Sequence, residues 1–178
     1  MPMILDPLLH VVAALGPGTL FLAAGANKLG DPKYFRDVVA GYQLMPAWAV
    51  PTIATGVVTL ELLAGVAAIQ PFSLALRLLG VSVIALLLLG YAAAIGINLM
   101  RGRRHIDCGC SGPRGDRRGL NGWLVARNLA LAGVAALVYL PVSGRDLVFL
   151  DYLGVGAVLV ATWFIYRATS LLTSLSLR

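Results

Sequence analysis

The sequence is poor in charged residues, which make up 12% of its 178 residues against 59% hydrophobic ones. Soluble domains usually carry about 25% charged residues, because much of their surface faces water. A chain of this length has too little interior to hide so many apolar side chains, whereas a bilayer solvates the outside of each helix. The composition therefore excludes a soluble globular domain and predicts an integral membrane protein.

Basic residues are not interleaved with aromatic ones, although the pI is near 9.8. The pattern of nucleic-acid-binding surfaces is missing, so no nucleic-acid partner is expected. Lys and Arg are also missing from Met1–Leu9, so the first apolar segment is expected to be a retained helix rather than a cleaved signal peptide. Since the chain has no visible repeat and no room for a separate soluble domain, residues 1–178 are expected to form a single membrane domain.

Five apolar segments approach the length of about 20 residues that a membrane-spanning helix needs. They predict an all-α membrane bundle of four core transmembrane helices plus a fifth, over residues 7–27, 51–70, 78–97, 121–142 and 147–166. Between the first two segments, apolar and aromatic residues recur at close to helical spacing within Lys33–Gln43. This spacing predicts a short helix at the membrane interface.

The distribution of cations between the predicted loops indicates the orientation. With five spans, eleven Lys and Arg residues fall on the side of the longest polar loop, residues 100–122, and two fall on the other side. The eleven are Lys28, Lys33, Arg36, Arg101, Arg103, Arg104, Arg114, Arg117, Arg118, Arg167 and Arg178, and the two are Arg77 and Arg145. Because cytoplasmic loops carry the excess of Lys and Arg, this count predicts a cytoplasmic loop lying against the lipid bilayer.

The loop contains the only cysteines of the chain, Cys108 and Cys110, which flank Gly109. Glycine gives the backbone the freedom that a small Cys-x-Cys ring needs, and a strained disulfide is easily reduced. Positive charge nearby favours the reactive thiolate. The predicted chemistry is thiol–disulfide exchange by this catalytic pair, tuned by Arg103, Arg104 and His105, with Asp107 opposing them.

Two alternatives for the cysteines remain open. His105, Cys108 and Cys110 form a His-x2-Cys-x-Cys pattern that would supply three ligands to copper(I) or zinc, with Asp107 or a second chain as the fourth. The pair would otherwise be two reduced, inert thiols in a glycine-rich turn. Paired accessible thiols among cations favour exchange over both alternatives.

Polar residues within the predicted helices are the second signal. Glu61 lies near the middle of the second helix, where a charge is costly unless it is paired, protonated or turned into the bundle. Lys28 and Arg127 are its candidate partners. With Asn98 and Asn128 these residues are expected to form a polar floor beneath the cysteine loop. The floor would bind a redox partner, a quinone-like cofactor or a peptide, or it would only clamp the helices together.

Several short motifs between about residues 10 and 140 occur together in one known family. They are Gly25-Ala-Asn-Lys28, Asp31-Pro32, Tyr42-Gln-Leu-Met-Pro46, Glu61-Leu62, Asn98-Leu-Met-Arg-Gly102, Asp107-Cys-Gly-Cys-Ser-Gly112 and Arg127-Asn128. Together they resemble the MauE family of methylamine utilisation, within the wider MauE/DoxX-like redox-associated membrane proteins. Where that family often has Phe-Gly after the second cysteine, this chain has Ser111-Gly112.

The resemblance implies a role in maturing the disulfide-rich small subunit of methylamine dehydrogenase, or an analogous exported protein, with a thioredoxin-like partner of the MauD type. An exported client implies thiols that face the cell exterior, whereas the cation count predicts a cytoplasmic loop. Either the span count differs, or the pair exchanges electrons with a cytoplasmic thioredoxin and passes them across the membrane. The competing functions are a copper- or zinc-handling membrane protein and a non-catalytic membrane assembly factor.

Overall fold

The computed structural model describes residues 5–107, 119–145, 148–151, 153–157, 160 and 164. Over this part of the chain the secondary structure is helical with short connections, which confirms the predicted all-α class. The α-helices are α1 (Pro7–Gly30), α2 (Pro32–Gly41), α3 (Val50–Ile69), α4 (Leu74–Met100) and α5 (Gly122–Ala136). Short 3-10 helices precede α3 at Ala47–Ala49 and follow α5 at Leu137–Tyr139.

Four helical segments in the described ranges are long and apolar enough to cross a membrane. They are Pro7–Gly30, Ala47–Ile69, Leu74–Met100 and Gly122–Tyr139, and they correspond to the first four predicted spans. The predicted fifth helix, 147–166, lies largely outside the described residues, although 149–151 and 153–157 are helical. The predicted interfacial helix forms as α2, which begins at Pro32 because the side chain of Asp31 accepts a hydrogen bond from Tyr34 N at 3.0 Å.

The helices alternate in direction, so the bundle has two distinct ends. The end formed by the C-termini of α1 and α4 and the N-termini of α3 and α5 also carries α2 and both sides of the cysteine loop; we call it the loop end. At the opposite end, Leu5 forms a bridge with Val142. There Arg145 also binds Asp6, with 3.1 Å between Nη2 and Oδ1. The N–H of Leu8 and then the Arg145 guanidinium hold the pKa of the Asp6 carboxyl below its ordinary value.

Close helix packing depends on small residues, as is typical of membrane bundles. A Cβ at Gly80 of α4 would lie 2.6 Å from the backbone nitrogen of Ala68, so α3 and α4 approach at a distance that only glycine allows. The central core is accordingly rich in alanine, including Ala64, Ala68 and Ala135. Large apolar side chains instead face outward, as at Leu86, which is 67% exposed. An apolar exterior around a small-residue core fits a lipid environment rather than water.

Candidate functional site

A buried ion pair and a tyrosine hydroxyl together connect three of the spanning helices. Lys28 of α1 contacts Glu61 of α3 directly through Nζ and Oε1, and the two residues are only 5% and 1% exposed. Tyr91 of α4 donates its hydroxyl to the same carboxylate oxygen at 2.5 Å and accepts from Lys28 Nζ at 3.2 Å. Of the two partners that the sequence offers Glu61, the structure therefore selects Lys28 and not Arg127.

The surroundings of Lys28 compensate part of the cost of burying its charge. Its Nζ lies 4.8 Å from the ring centroid of Phe35 and 5.1 Å from that of Tyr91, which are cation–π distances. The second carboxylate oxygen of Glu61, Oε2, has no hydrogen-bond partner among the residues that the structure describes. The network thus holds one cation, one anion and one hydroxyl in a low-dielectric interior, and we call it the Lys–Glu–Tyr triad. Removing one charge would leave the other buried and uncompensated.

The base of the cysteine loop is attached to α2 by a long-range hydrogen bond. Tyr34 of α2 donates its hydroxyl to Asp107 Oδ2 at 2.7 Å, and Asp107 is the residue that immediately precedes Cys108. Asp107 also forms an antiparallel bridge with Gly119, so the two residues that flank the cysteine segment lie side by side. A Cβ at Gly119 would lie 1.9 Å from the carbonyl oxygen of Arg104, so this closure requires glycine.

The base of the cysteine loop also packs against apolar side chains of the bundle. Ile106 and Leu120, which flank the bridge, pack in a cluster with Val38 of α2, Tyr42 just after α2 and Ile95 of α4. Leu120 is 2% exposed and Ile95 is 1% exposed, so the centre of this cluster is fully buried. The residues on both sides of the cysteine segment are thus fixed against two helices of the bundle.

The predicted catalytic pair, Cys108 and Cys110, lies outside the described residues, as does most of the alternative metal-ligand set. Arg104 and His105 are exposed on the described side of the loop, and Arg103 is half-buried. The backbone N–H of Arg103 donates to the carbonyl oxygen of Asn98 at 2.9 Å, which ties this cationic stretch to the end of α4. The predicted tuning residues therefore lie at the water-facing rim of the bundle.

Both amides predicted for the polar floor are buried in the bundle. Asn98 is fully buried and Asn128 is 3% exposed. Asn98 Nδ2 donates to the Ala94 carbonyl at 3.1 Å, while Asn98 Oδ1, Asn128 Nδ2 and Arg127 Nε lack partners in the described structure. Asn98 lies seven residues after Tyr91 on α4, a rise of about 10 Å. The side-chain hydrogen bond of Asn98 to the Ala94 carbonyl stays within α4.

Sequence reasoning missed both tyrosines. Tyr91 is a hydroxyl-bearing side chain within a membrane-spanning helix, where a polar group needs a partner, and this signal could have found it. Tyr34 has no such signal, because 73 positions separate it from Asp107. Its membership of the site follows only from the way α2 folds back under the loop.

Taken together, the spanning helices, the buried triad and the anchored flanks of the polar loop define a multi-pass helical membrane protein. The chain belongs to the MauE family: the sequence model of the family described as Methylamine utilisation protein MauE matches residues 6–141. The resemblance inferred from the motifs is confirmed by this match.

Curated relatives with the name Methylamine utilization protein MauE cover most of the chain. The protein of Methylophilus methylotrophus is 37% identical over 145 residues, 80% of this chain and 75% of the relative. That of Paracoccus denitrificans is 32% identical over 159 residues, 88% of this chain and 83% of the relative. That of Methylorubrum extorquens is 32% identical over 154 residues, 85% of this chain and 81% of the relative. No solved structure matches the chain.

Proposed function

We propose that this chain is an accessory membrane protein of methylamine utilisation that works as a thiol–disulfide relay through Cys108 and Cys110. The name that its relatives share supports the pathway. The observation that carries the relay is the anchored loop base: Tyr34 and the bridge to Gly119 hold Asp107, the residue next to Cys108, against the bundle. Because Cys108 directly follows Asp107 in the sequence, anchoring Asp107 limits how far the first thiol can lie from the bundle.

The relay is a two-step exchange. The thiolate of one cysteine attacks a partner disulfide, forming a mixed disulfide and releasing one partner thiolate. The second cysteine then attacks the mixed disulfide, which closes the Cys108–Cys110 bond and releases the second partner thiol. The chain's dithiol is oxidised and the partner's disulfide is reduced, and the reverse sequence would insert a disulfide into a client. Arg103, Arg104 and His105 supply the positive charge that favours the attacking thiolate.

The proposed partners follow from this chemistry. A thioredoxin-like protein of the MauD type would exchange with the pair, and the client would be an exported disulfide-bearing protein such as the small subunit of methylamine dehydrogenase. The described helices support a cytoplasmic loop end, because Lys33, Arg36 and Arg101 lie there while Arg77 and Arg145 lie at the opposite end. Exchange at the loop end would then begin with a cytoplasmic thioredoxin.

Trapping tests the relay. In Cys110→Ser or Cys108→Ser, the remaining thiol can attack a partner but no second thiol can resolve the product. We expect one of the two variants to accumulate a covalent complex that dissociates in reducing gels and contains a thioredoxin-like protein. The double variant Cys108→Ser/Cys110→Ser is the matched control and should trap nothing. Absence of a complex from both single variants, with full activity retained, would refute the relay and favour a non-catalytic assembly factor.

A further inference from the structure

An apolar groove of about 240 Å³ opens between α2, α3 and α4 in the half of the bundle nearest the loop end. Residues on all three helices line it, including Val38, Tyr42, Val57, Leu86, Gly90 and Ile95. Leu86 is 67% exposed and Gly90 is also exposed, so the groove opens sideways, where the bilayer would lie. A ligand could therefore enter from lipid without crossing water.

Two aromatic residues that line the groove, Phe35 and Tyr91, also contact the buried ion pair. Tyr91 lines the groove, and its hydroxyl is hydrogen-bonded to Glu61 at 2.5 Å and to Lys28 at 3.2 Å. The lining is thus apolar except for two tyrosines, Tyr42 and Tyr91, and the Tyr91 hydroxyl is hydrogen-bonded to the buried ion pair. Sites for small apolar ligands commonly have this composition, with a few polar groups that fix the orientation of the ligand.

The groove also reaches the base of the cysteine loop. The part of the groove nearest the loop end is lined by Val38, Tyr42 and Ile95, which belong to the same cluster as Ile106 and Leu120. From Ile95 the groove follows α4 to Leu86, nine residues or about 14 Å along the helix axis. One end therefore lies beside the residues that flank the cysteines, and the other lies towards the middle of the membrane.

We propose that this groove binds a lipid-soluble quinone, which accepts the electrons of the Cys108–Cys110 dithiol; the inference rests on the proposed relay. When the dithiol closes, two S–H bonds break, one S–S bond forms, and two electrons and two protons leave. A quinone takes up two electrons and two protons as its carbonyl oxygens become hydroxyls, so the reaction balances without another reactant. Its apolar ring and tail match the apolar lining, and its carbonyls would lie beside the two tyrosines of that lining, Tyr42 and Tyr91.

Two glycines of α4 provide a matched pair of variants. A Cβ at either Gly90 or Gly96 would have no neighbour within 4 Å, so leucine should fit at both positions without disturbing the fold. Only Gly90 lines the groove, so only Gly90→Leu should fill it. The full-length wild-type protein and both variants would be placed in nanodiscs and photolabelled with an azido-ubiquinone of short side chain. Both variants should first show the elution volume and helicity of the wild type.

We expect labelling on α2 or α4, at least about tenfold weaker in Gly90→Leu and unchanged in Gly96→Leu, a difference of about 1.4 kcal/mol. Quinol formation from the reduced protein should fall in parallel. Equal labelling of all three proteins would overturn the proposal. The proposal would also be overturned if the groove held a phospholipid that quinone does not displace. It would be overturned as well if Gly90→Leu dissociated a dimer, because the groove would then be an interface between two copies of the chain.

The quinone inference and the relay fail in different ways. If diamide closes the disulfide and the cysteine variants trap a partner, but no quinone binds, the groove proposal is wrong and the relay stands. If neither diamide nor quinone closes the disulfide, both are wrong.

Discussion

Lys28→Met should prevent most of the protein from accumulating as a folded species in the membrane. The substitution leaves Glu61, which is 1% exposed, with Tyr91 as a donor but without its cation. Removing one partner of a buried ion pair costs about 3–5 kcal/mol, a large part of the 5–15 kcal/mol by which folded proteins are typically stable. Fluorescence-detected size exclusion of tagged protein would show the loss as a reduced monodisperse peak and a lowered melting temperature.

The double variant Lys28→Met/Glu61→Gln tests whether the charge itself is responsible. It removes both charges, keeps an acceptor for the Tyr91 hydroxyl, and should recover most of the folded protein because no uncompensated charge remains. Lys33→Met is the control for the substitution, since Lys33 lies exposed on α2 and its loss should leave the peak unchanged. If Lys28→Met were as stable as Lys33→Met, the ion pair would not support the fold.

Cys108→Ser/Cys110→Ser should abolish the activity while leaving the amount of membrane protein unchanged. In a methylamine-using host that lacks its own MauE, the double variant should behave as an empty vector for growth on methylamine and for the amount of mature methylamine dehydrogenase. A relay without thiols can form no mixed disulfide, so the loss should be complete rather than partial. Ser111→Ala, in the same loop, is the control and should retain wild-type growth.

The two sets of variants distinguish the relay from an assembly factor. A relay loses function in the cysteine variants at normal abundance, whereas Lys28→Met loses function through loss of protein. An assembly factor would tolerate the double cysteine variant and respond only to substitutions in the triad. Full growth of the double cysteine variant would therefore contradict the proposed function and leave the fold intact.

The four described spans could be predicted from the sequence because the thickness of the bilayer fixes the length of an apolar helix. The ends were less predictable, as α4 illustrates. It was predicted to begin at residue 78, just after Arg77, but it begins at Leu74. The Ser73 hydroxyl caps its first turn, and Arg77 donates from Nη2 to the Gln70 carbonyl at 3.2 Å, just before the helix begins. A cation near a helix end can extend to the interface and does not terminate the helix.

The candidate site was predictable where the membrane makes polar residues conspicuous. Glu61 and Lys28 were identified because a charge in an apolar helix needs a partner. The choice between Lys28 and Arg127 was not predictable, since it depends on which helices are neighbours and at what depth. The hydrogen bond between Tyr34 and Asp107 likewise depends on α2 folding back beneath the loop, and no local spacing encodes that arrangement.

The redox behaviour of the two cysteines in native membranes tests the account most directly. Membranes would be equilibrated with thiol–disulfide buffers of graded potential and quenched with an alkylating reagent, and the mass of the chain would be measured. We predict a single two-electron transition between a form with two alkyl groups and a form with none. The buffers would span potentials from fully reducing to fully oxidising. If the chain carried two alkyl groups at every one of these potentials, the result would contradict a relay through Cys108 and Cys110.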